Sequence, residues 1–299
     1  MIYKNWMSYI KDDVKITKMV MPGAHNAGSS GMARMGCCQS GDMYEQFACG
    51  VRHFCIRLDT DKKGRLILKH GVVKGKRFTI ELENMRRMLA ENDSEFFIFD
   101  IREYYTGKFG PFYMLYKADA KAVDALVREY LSPEKYAFTD FDDISTVTMG
   151  DIRKSGKRYL LYNYEKAYDY SVACPYIFPL DNRNYGLKAP NMIKEAVTLF
   201  DLYQTDGFFW FQTQGTPNFK TEAGMRSPKK LDNDLRPYFK EFMGLIANSP
   251  HYLESANIIE GDFMSGDTMK AREILLLNIL KNNVREDLIE EYRAGLGAY

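Results

Sequence analysis

Apolar positions along the chain follow two alternating patterns. Short apolar runs of strand type are separated by longer segments in which apolar side chains recur at helical spacing, as at Leu82, Met85 and Leu89. About eight strands separated by helical lengths favour a parallel α/β barrel over a β-sandwich. The strands are predicted at 14–22, 50–59, 65–71, 95–104, 157–165, 175–181, 207–215 and 257–263, and the helices at 78–92, 117–131, 189–204, around 228–247 and within 270–294.

The length and composition fit one barrel domain. A chain of 299 residues is within the range of barrels, which fold as one unit of roughly 250 residues or more. Apolar residues make up 45 % of the chain, which is enough for a large core. Because the sequence contains neither a linker-like stretch nor an evident internal repeat, we predict a single domain over residues 1–299, and we expect a monomer.

Charge and cysteine content exclude several classes of protein. The net charge is +1, so no strong field would attract nucleic acid or hold the chain to a membrane by a basic tether. No apolar stretch reaches the ~18 residues of a membrane span, and the start "MIYKNWMSYIKDD" lacks the apolar centre of a signal peptide. The odd number of cysteines and the absence of a C-x-x-C pair indicate reduced thiols at Cys37, Cys38, Cys49, Cys55 and Cys174.

Four polar side chains are predicted to meet at one end of the barrel. His25 lies in a turn of small residues at the end of the first strand, and His70 ends the third. Period-two alternation on the second strand directs Arg57 inward, away from the apolar face that contacts the helices. Asp262 ends the last strand, which lies beside the first once the barrel closes. Because catalytic residues of parallel barrels lie at the carboxyl ends of the strands, we predict an active site here.

This combination of residue types suits the cleavage of a phosphodiester. A histidine has an ordinary pKa near ~6.5, so one ring can accept a proton while the other donates one. An arginine can pair with two phosphate oxygens and stabilise charge in the transition state. A carboxylate behind a histidine fixes its tautomer. Asp100 and Arg102 share a face of the fourth strand, where both a substrate contact and a structural pair remain open.

At these residues the sequence resembles the bacterial phosphatidylinositol-specific phospholipases C. A P-G-x-H turn followed by G-x-R-x-F-x-I-R and L-x-L-x-H-G is specific as a combination, and the likeness is strongest in the amino-terminal third. The matching segments are "NWMSYIKDDVKITKMVMPGAHNAG" (5–28), "GVRHFCIRL" (50–58), "LILKHG" (66–71), "FFIFDIREY" (96–104) and "IIEGDF" (258–263).

The resemblance implies a distorted, partly open (β/α)8 barrel and a reaction without a metal or another cofactor. Phosphatidylinositol would be cleaved to diacylglycerol and inositol 1,2-cyclic phosphate. His25 would be the general base and His70 the general acid, while Arg57 would hold the phosphate and Asp262 would support His25. Three further positions match the family's site, namely Arg102 and Asp181 at the inositol ring and Asn26 directly after the base.

Three departures from the family's pattern bear on rate and substrate. Asn26 stands where the bacterial enzymes have an aspartate, and a neutral amide can orient a neighbour but cannot raise its pKa by charge. Cys55 replaces an aspartate two positions before Arg57, and the Asp-x-Tyr segment that holds inositol has no clear counterpart. The calcium-dependent relatives also have an asparagine after the histidine. Here only Asn26 and Asp59 offer hard oxygen ligands, and Arg57 would place a positive charge where the metal would bind. No metal is therefore predicted.

Two other functions fit the same residues. One is a related phosphodiesterase that acts on a different head group, and the other is a catalytically weakened homologue that binds lipids or inositol phosphates. The expected partner is a phospholipid at a membrane surface, contacted transiently by the apolar loop 104–117, unless this loop packs on the barrel's own helices. The missing signal peptide favours the cytoplasm, and the resemblance favours secretion if a leader has been removed. His53 is predicted to fill the barrel, and His251 to lie in a surface loop.

Overall fold

The observed elements follow the predicted alternation of strands and helices. The structure, a computed structural model, describes residues 2–109, 112–163, 168–173, 188–202, 206–217 and 225–297, of which 104–109 and 112–116 by their backbone alone. The strands are β1 (Met21–Ala24), β2 (His53–Thr60), β3 (Leu66–His70), β4 (Val73–Arg77), β5 (Phe97–Arg102), β6 (Tyr104–Phe109), β7 (Phe112–Lys117), β8 (Tyr159–Asn163), β9 (Val172–Ala173), β10 (Trp210–Gln212) and β11 (Ile258–Gly261). The helices are α1 (Met43–Ala48), α2 (Phe78–Glu91), α3 (Ala120–Leu131), α4 (Pro133–Tyr136), α5 (Met149–Ser155), α6 (Ala189–Val197), α7 (Leu199–Leu202), α8 (Pro228–Leu235), α9 (Phe239–Ala247), α10 (Pro250–Ser255), α11 (Met269–Leu280) and α12 (Ile289–Gly295).

Parallel strands form the main sheet in the order β10-β11-β1-β2-β5-β8-β9. Within the described part of the chain, β9 and β10 are the two edges and do not pair with each other, so the sheet curls without closing. Helices cover its outer face, as the connections between parallel strands require. The predicted α/β fold, a distorted and partly open barrel, is confirmed.

Period-two alternation divides the core into an outer and an inner cluster. On β2, Phe54 and Ile56 pack in the outer cluster with the helices, while Cys55 belongs to the inner cluster. β5 is buried at every position, as its continuously apolar sequence predicts. His53 is fully buried inside the barrel, with its ring centroid 4.9 Å from that of Trp210, and the prediction that it fills the barrel is confirmed.

The first strand is shorter than predicted. β1 begins only at Met21, whereas residues 14–16 bond to residues 147–149 at another part of the molecule. There the N–H of Ile16 donates to the carbonyl of Val147 at 3.0 Å. The apolar side chains of residues 14–20 are buried by packing across the end of the barrel. An apolar sequence alone does not distinguish such a buried segment from a strand.

The third strand runs opposite to the predicted direction. β3 pairs with β2 in antiparallel register, with Leu58 opposite Leu68, and β4 pairs with β3 outside the main sheet. Residues 61–65 are too few for the crossover that a parallel pair needs, which takes a dozen or more residues. β3 therefore begins at the carboxyl end of β2, where Leu66 is opposite Thr60, and returns along it. Its last residue, His70, comes back to the level of Ile56, just beyond the end of β1.

The segment 104–117 is a hairpin rather than a loop. β6 and β7 pair in antiparallel register from Tyr104 opposite Lys117 to Phe109 opposite Phe112. The hairpin follows β5 directly, so it lies on the side of the sheet where the strands end. The predicted strand at 175–181 lies outside the described residues.

The predicted helices lie where the structure has helices, but three of them are interrupted. The predicted helices 189–204, 228–247 and 270–294 each contain two helices separated by a short turn or 3-10 segment. His251 lies in α10, so its prediction as a loop residue is wrong. Within the described residues, none of the helices combines the length and apolar character needed to cross a bilayer.

A buried ion pair joins the amino-terminal segment to the barrel. Both Arg52 and Glu95 have side chains with no exposed surface, and the guanidinium donates from Nε and Nη2 to Glu95 Oε2 at 2.7 and 2.5 Å. Arg52 also donates to the carbonyl of Tyr3 at 3.0 Å, and Glu95 Oε1 accepts from the N–H of Met7 at 3.2 Å. One pair thus satisfies polar groups of β2, of the turn before β5 and of the chain start.

Replacing Glu95 should destabilise the fold strongly. Glu95→Ala leaves the Arg52 guanidinium charged, buried and unpaired, which costs about 3–5 kcal/mol of unfolding free energy. The matched control is Glu83→Ala, which removes an exposed partner of Arg86 and should change stability by ~0.5 kcal/mol or less. Urea unfolding of both variants measures the difference, and equal losses would contradict a structural role for the buried pair.

Candidate active site

His25 follows directly after β1 at the carboxyl end of the sheet. Its N–H donates to the carbonyl of Gly261 at 3.1 Å, which extends the pairing of β1 with β11 by one residue. Asn26 then has a left-handed backbone with φ +46°, a conformation that asparagine tolerates better than most residues. A 3-10 turn at Ala27–Ser29 follows. The chain therefore turns sharply at His25 and leaves the imidazole at the end of the strand.

Three side chains fix the tautomer of His25. Its Nδ1 lies 2.8 Å from Oδ1 of Asp262, and its Nε2 lies 3.0 Å from Nδ2 of Asn26 and 3.1 Å from Nη2 of Arg57. Amide and guanidinium nitrogens only donate hydrogen bonds, so Nε2 is the acceptor. The proton therefore lies on Nδ1, shared with Asp262, and Nε2 is the basic atom of the ring.

His70 faces His25 because β3 packs closely on the turn that follows His25. A Cβ atom on Gly28 would lie 2.4 Å from a methyl carbon of Leu68, so a larger residue there would displace the Leu68 side chain. The two imidazole centroids are 5.7 Å apart with perpendicular planes. His70 Nδ1 lies 3.1 Å from the carbonyl of Gly36, which can only accept. The proton of the neutral His70 ring is therefore on Nδ1, and Nε2 is the atom that can gain and pass on a second proton.

Burial and positive charge favour neutral imidazoles at this site. The pKa of His25 is well below its ordinary value, first because the ring is buried and then because Arg57 and Arg102 lie nearby. The pKa of His70 is lowered by burial, by Arg57 and by His25, against a raising effect of the Gly36 carbonyl. Burial raises the pKa of Asp262 in turn. In the unliganded site the buried pair of Asp262 and His25 therefore shares one proton.

The structure brings five of the seven predicted site residues together. His25, His70, Arg57, Asp262 and Asn26 form one cluster at the carboxyl ends of β1, β2, β3 and β11. Arg102 lies inside the barrel, where its Nε donates to Oδ2 of Asp100 at 2.8 Å and its guanidinium is 4.5 Å from the centroid of the Trp210 ring. Asp181 lies outside the described residues.

Two polar side chains hold the strand ends in place. Gln39 donates from Nε2 to the carbonyls of both His25 and Gly261, at 2.8 and 3.0 Å. Lys270 donates from Nζ to the carbonyl of Asp262 at 2.6 Å and is itself paired with Asp232. The catalytic candidates on β1 and β11 are therefore fixed through their backbone as well as through their side chains.

Cys38 is a site residue that the sequence did not identify. Its Sγ lies 3.4 Å from Nδ1 of His70 and 3.8 Å from Nδ2 of Asn26. Cys37, Cys38, Cys49 and Cys55 are free, in agreement with the predicted reduced thiols, and Cys174 lies outside the described residues. The only sequence signal was a cysteine pair between Gly36 and Gln39, and nothing in the spacing links it to His70.

A metal ion does not fit this cluster well. His25, Cys38 and Asp262 each offer a ligand atom, and these atoms lie within 4.8 Å of one another. The Arg57 guanidinium is 3.1 Å from the same His25 ring and would repel a cation. Burial also raises the pKa of the Cys38 thiol well above its ordinary value, which opposes the thiolate that a metal needs.

Among the solved structures similar to this chain are two bacterial phospholipases. The phosphatidylinositol-specific phospholipase C from Listeria monocytogenes superimposes with a TM-score of 0.67 and 18 % identity, covering 92 % of this chain and 98 % of its own. A single-site mutant of the phosphatidylinositol-specific phospholipase C from Staphylococcus aureus superimposes with a TM-score of 0.63 and 16 % identity, covering 95 % and 97 %. No family model matches the sequence, and no curated protein matches it significantly. The resemblance seen in the sequence is confirmed as a shared fold.

The contact between Asn26 and His25 predicts how an aspartate would act at this position. Asn26→Asp replaces the Nδ2 donor with a charged acceptor opposite Nε2, which favours a protonated ring. We expect the pKa of His25 to rise in this variant, against the lowering effect of burial. Nitrogen-15 NMR titration of the imidazoles measures this change.

The matched control for this substitution is Asn282→Asp. Asn282 has the same left-handed backbone, with φ +56°, and its contacts lie outside the site. It should leave the titration of His25 unaltered. If Asn26→Asp also left it unaltered, the assigned acceptor role of Nε2 would be wrong.

Proposed function

We propose that this protein is a phosphatidylinositol-specific phospholipase C that forms diacylglycerol and inositol 1,2-cyclic phosphate without a metal ion. The observation that supports this function is the pair of facing imidazoles, His25 and His70, with the Arg57 guanidinium beside them. Two imidazoles that can take opposite proton-transfer roles, with a cation beside them, suit an intramolecular attack on a phosphodiester. The shared fold with bacterial phospholipases of this type supports the same reaction class.

His25 serves as the general base. Its Nε2 takes the proton of the inositol 2-hydroxyl, and that oxygen attacks the phosphorus. Asp262, 2.8 Å from Nδ1, stabilises the imidazolium that results and keeps the ring in place. In the free protein Nε2 is covered by the N–H groups of Asn26 and Arg57, so the substrate must take over these donors before the base can act.

Arg57 can transfer its hydrogen bond from His25 Nε2 to the phosphate of the substrate. A phosphate oxygen is a stronger acceptor for a guanidinium than a neutral imidazole, and it can be bound through two parallel N–H groups. When Arg57 turns its donors to the phosphate, His25 Nε2 becomes accessible to the 2-hydroxyl. The same charge stabilises the negative oxygens as the attacking bond forms.

His70 serves as the general acid. The bond between phosphorus and the diacylglycerol oxygen breaks, and Nε2–H of the doubly protonated ring gives its proton to that oxygen. One proton enters the protein at His25 and one leaves at His70, so exchange with solvent restores both rings. The anionic phosphodiester offsets the Arg57 charge that lowers the pKa of His70, and so favours the proton that His70 must donate.

Recognition of the head group and of the membrane belongs to the same proposal. Arg102 and Asp181 are the proposed inositol contacts, and the hairpin β6–β7 is the proposed transient contact with the lipid surface. Arg102 lies opposite Arg57 in the pairing of β2 with β5, and its guanidinium is already paired with Asp100, so an inositol hydroxyl would share it with this carboxylate. A different head group is the second candidate, since the sequence has no clear counterpart of the family's inositol-binding segment.

Loss of either histidine should abolish cyclic product. His25→Ala and His70→Ala are each expected to lower turnover of phosphatidylinositol vesicles by about 10²–10⁴-fold, because each removes one proton-transfer partner. Phosphorus-31 NMR of a small panel of phosphodiesters identifies the product and the preferred head group together. The histidine control is His251→Ala, at a half-exposed ring outside the site.

Each result of that experiment has a defined meaning. Full turnover in both site variants would refute the mechanism. Turnover of another phosphodiester, but not of phosphatidylinositol, would assign the second head-group candidate. Binding of inositol phosphates without any turnover by the folded protein would identify a catalytically weakened homologue.

The two rings should give kcat/KM a bell-shaped pH dependence with a maximum below pH ~6.5. His25 acts as a neutral base, so the rate rises with pH through its pKa, and His70 acts as a cation, so the rate falls with pH through its own. Burial and Arg57 lower both pKa values in the free protein, which moves both limbs downward. In kcat both limbs should lie at higher pH, because the bound phosphodiester offsets Arg57.

Steady-state rates on a dispersed substrate between about pH 4 and 9 measure both profiles. Tris-free buffers of constant ionic strength keep the screening of Arg57 the same across the range. A flat kcat/KM across pH 5–8 would contradict two titrating histidines.

A further inference from the structure

Cys38 lies between the two halves of the proposed catalytic site. Its N–H donates to Oγ of Ser29 at 3.0 Å, and its carbonyl accepts from the N–H of Phe263 at 2.8 Å. These bonds tie it to the turn after β1 on one side and to the end of β11 on the other. The side chain is 1 % exposed, so the thiol is held inside the site rather than at its rim.

The donors and acceptors around Sγ determine the direction of each hydrogen bond. Asn26 has two Nδ2 hydrogens, one directed to His25 Nε2 at 3.0 Å and one to Cys38 Sγ at 3.8 Å. His70 Nδ1–H lies 3.4 Å from the same sulfur and also reaches the Gly36 carbonyl. The sulfur thus receives two N–H groups, and its own S–H must be donated elsewhere.

Asn26 connects the thiol to His25, because its two Nδ2 hydrogens reach both groups. The Asp262 carboxylate is also close, since it, the sulfur and the His25 ring offer atoms within 4.8 Å of one another. The same carboxylate accepts from Nδ1–H of His25 at 2.8 Å. A continuous path of hydrogen bonds therefore runs from His70 through Cys38 and Asn26 to His25.

We propose that Cys38 is a positioning residue that holds the His70 imidazole as the general acid and couples it through Asn26 to His25. This inference rests on the roles proposed above for the two histidines. The thiol accepts from Nδ1–H of His70 and so keeps Nε2 directed toward the leaving group. It also accepts from Nδ2 of Asn26, whose other hydrogen is directed to His25 Nε2. One neutral side chain thus orients both proton-transfer groups.

Two other roles for this thiol conflict with its surroundings. Burial and Asp262 raise the pKa of Cys38 well above its ordinary value, so the group is a thiol and not a nucleophilic thiolate. Its neighbour Cys37 directs its own Sγ to the carbonyl of Gln39 at 3.3 Å, away from a sulfur-sulfur contact. The geometry instead favours a hydrogen-bonding role, in which sulfur is a weak donor and a weak acceptor.

The pKa of His70 distinguishes a positioning role of Cys38 from a purely structural one, because only a positioning role changes this pKa. The charged and titratable groups around its ring are Arg57 from β2, His25 after β1 and Cys38, with Asp262 behind the thiol. Of these, Cys38 adds an acceptor for the N–H of the imidazolium. Its removal should therefore disfavour the protonated ring and move the alkaline limb of kcat/KM to lower pH.

The test compares three variants of the full chain. Cys38→Ala should lower kcat by about tenfold with little change in KM, because the acid is misdirected in the bound complex. Cys38→Ser keeps a group that accepts and donates, and should restore the rate to within about threefold and the alkaline limb to its original pH. Cys37→Ala is the matched control, since it removes the adjacent thiol without touching either histidine.

NMR on the protein without substrate separates this inference from the proposed function. Nδ1–H of His70 is expected as a slowly exchanging proton in the unsubstituted chain and in Cys38→Ser, and as a faster exchanging one with a lower ring pKa in Cys38→Ala. Should Cys38→Ala fail to fold, exchange of this proton in the unsubstituted chain and its retention in Cys38→Ser still decide the outcome.

Three results would overturn the positioning role. These are an equal loss of rate at every pH in Cys38→Ala, an identical loss in Cys37→Ala, and a rapidly exchanging His70 Nδ1–H in the unsubstituted protein. If the NMR differences are found but His25→Ala and His70→Ala keep full turnover, the hydrogen-bonded path stands and the proposed phospholipase mechanism fails.

Discussion

The parallel pairing of β1 with β11 is the constraint on which the site depends. Its register sets Ala24 opposite Gly261, so the next residues of each strand meet although His25 and Asp262 are 237 positions apart in sequence. Gln39 donates to the carbonyls of both His25 and Gly261 and thereby clamps the two strand ends together. A shift of one residue in this register would turn the carboxylate away from the ring, because alternate side chains point to opposite faces.

The charge distribution explains why the site suits an anionic ligand. Arg57 and Arg102 bring two cations into the barrel, and burial together with these cations keeps His25 neutral. Arg102 pairs with Asp100, and Arg57 directs a donor to the lone pair of His25. A phosphodiester would complete this arrangement, since it brings a negative charge to the guanidinium beside the neutral ring.

Much of the site was predictable because strand alternation and strand ends follow from local sequence. The inward direction of Arg57, the burial of β5 and the terminal positions of His25 and Asp262 depend on periodicity and on turn residues within a few positions. The fold class followed from the same alternation. The antiparallel direction of β3 could also have been predicted, because residues 61–65 are too few for the crossover that a parallel strand needs. The expectation of an all-parallel barrel led to the wrong direction.

Local sequence patterns were enough to place two histidines, an arginine and an aspartate on strands that meet at one end of an α/β barrel. Tertiary packing determines which atoms meet, since the Cys38 sulfur and Nδ1 of His70 lie 3.4 Å apart although they are separated by 32 positions in sequence. It also decided that Asn26 contacts His25. Local patterns carry no information on such contacts, because they depend on how distant segments pack and on which donors remain without acceptors once buried.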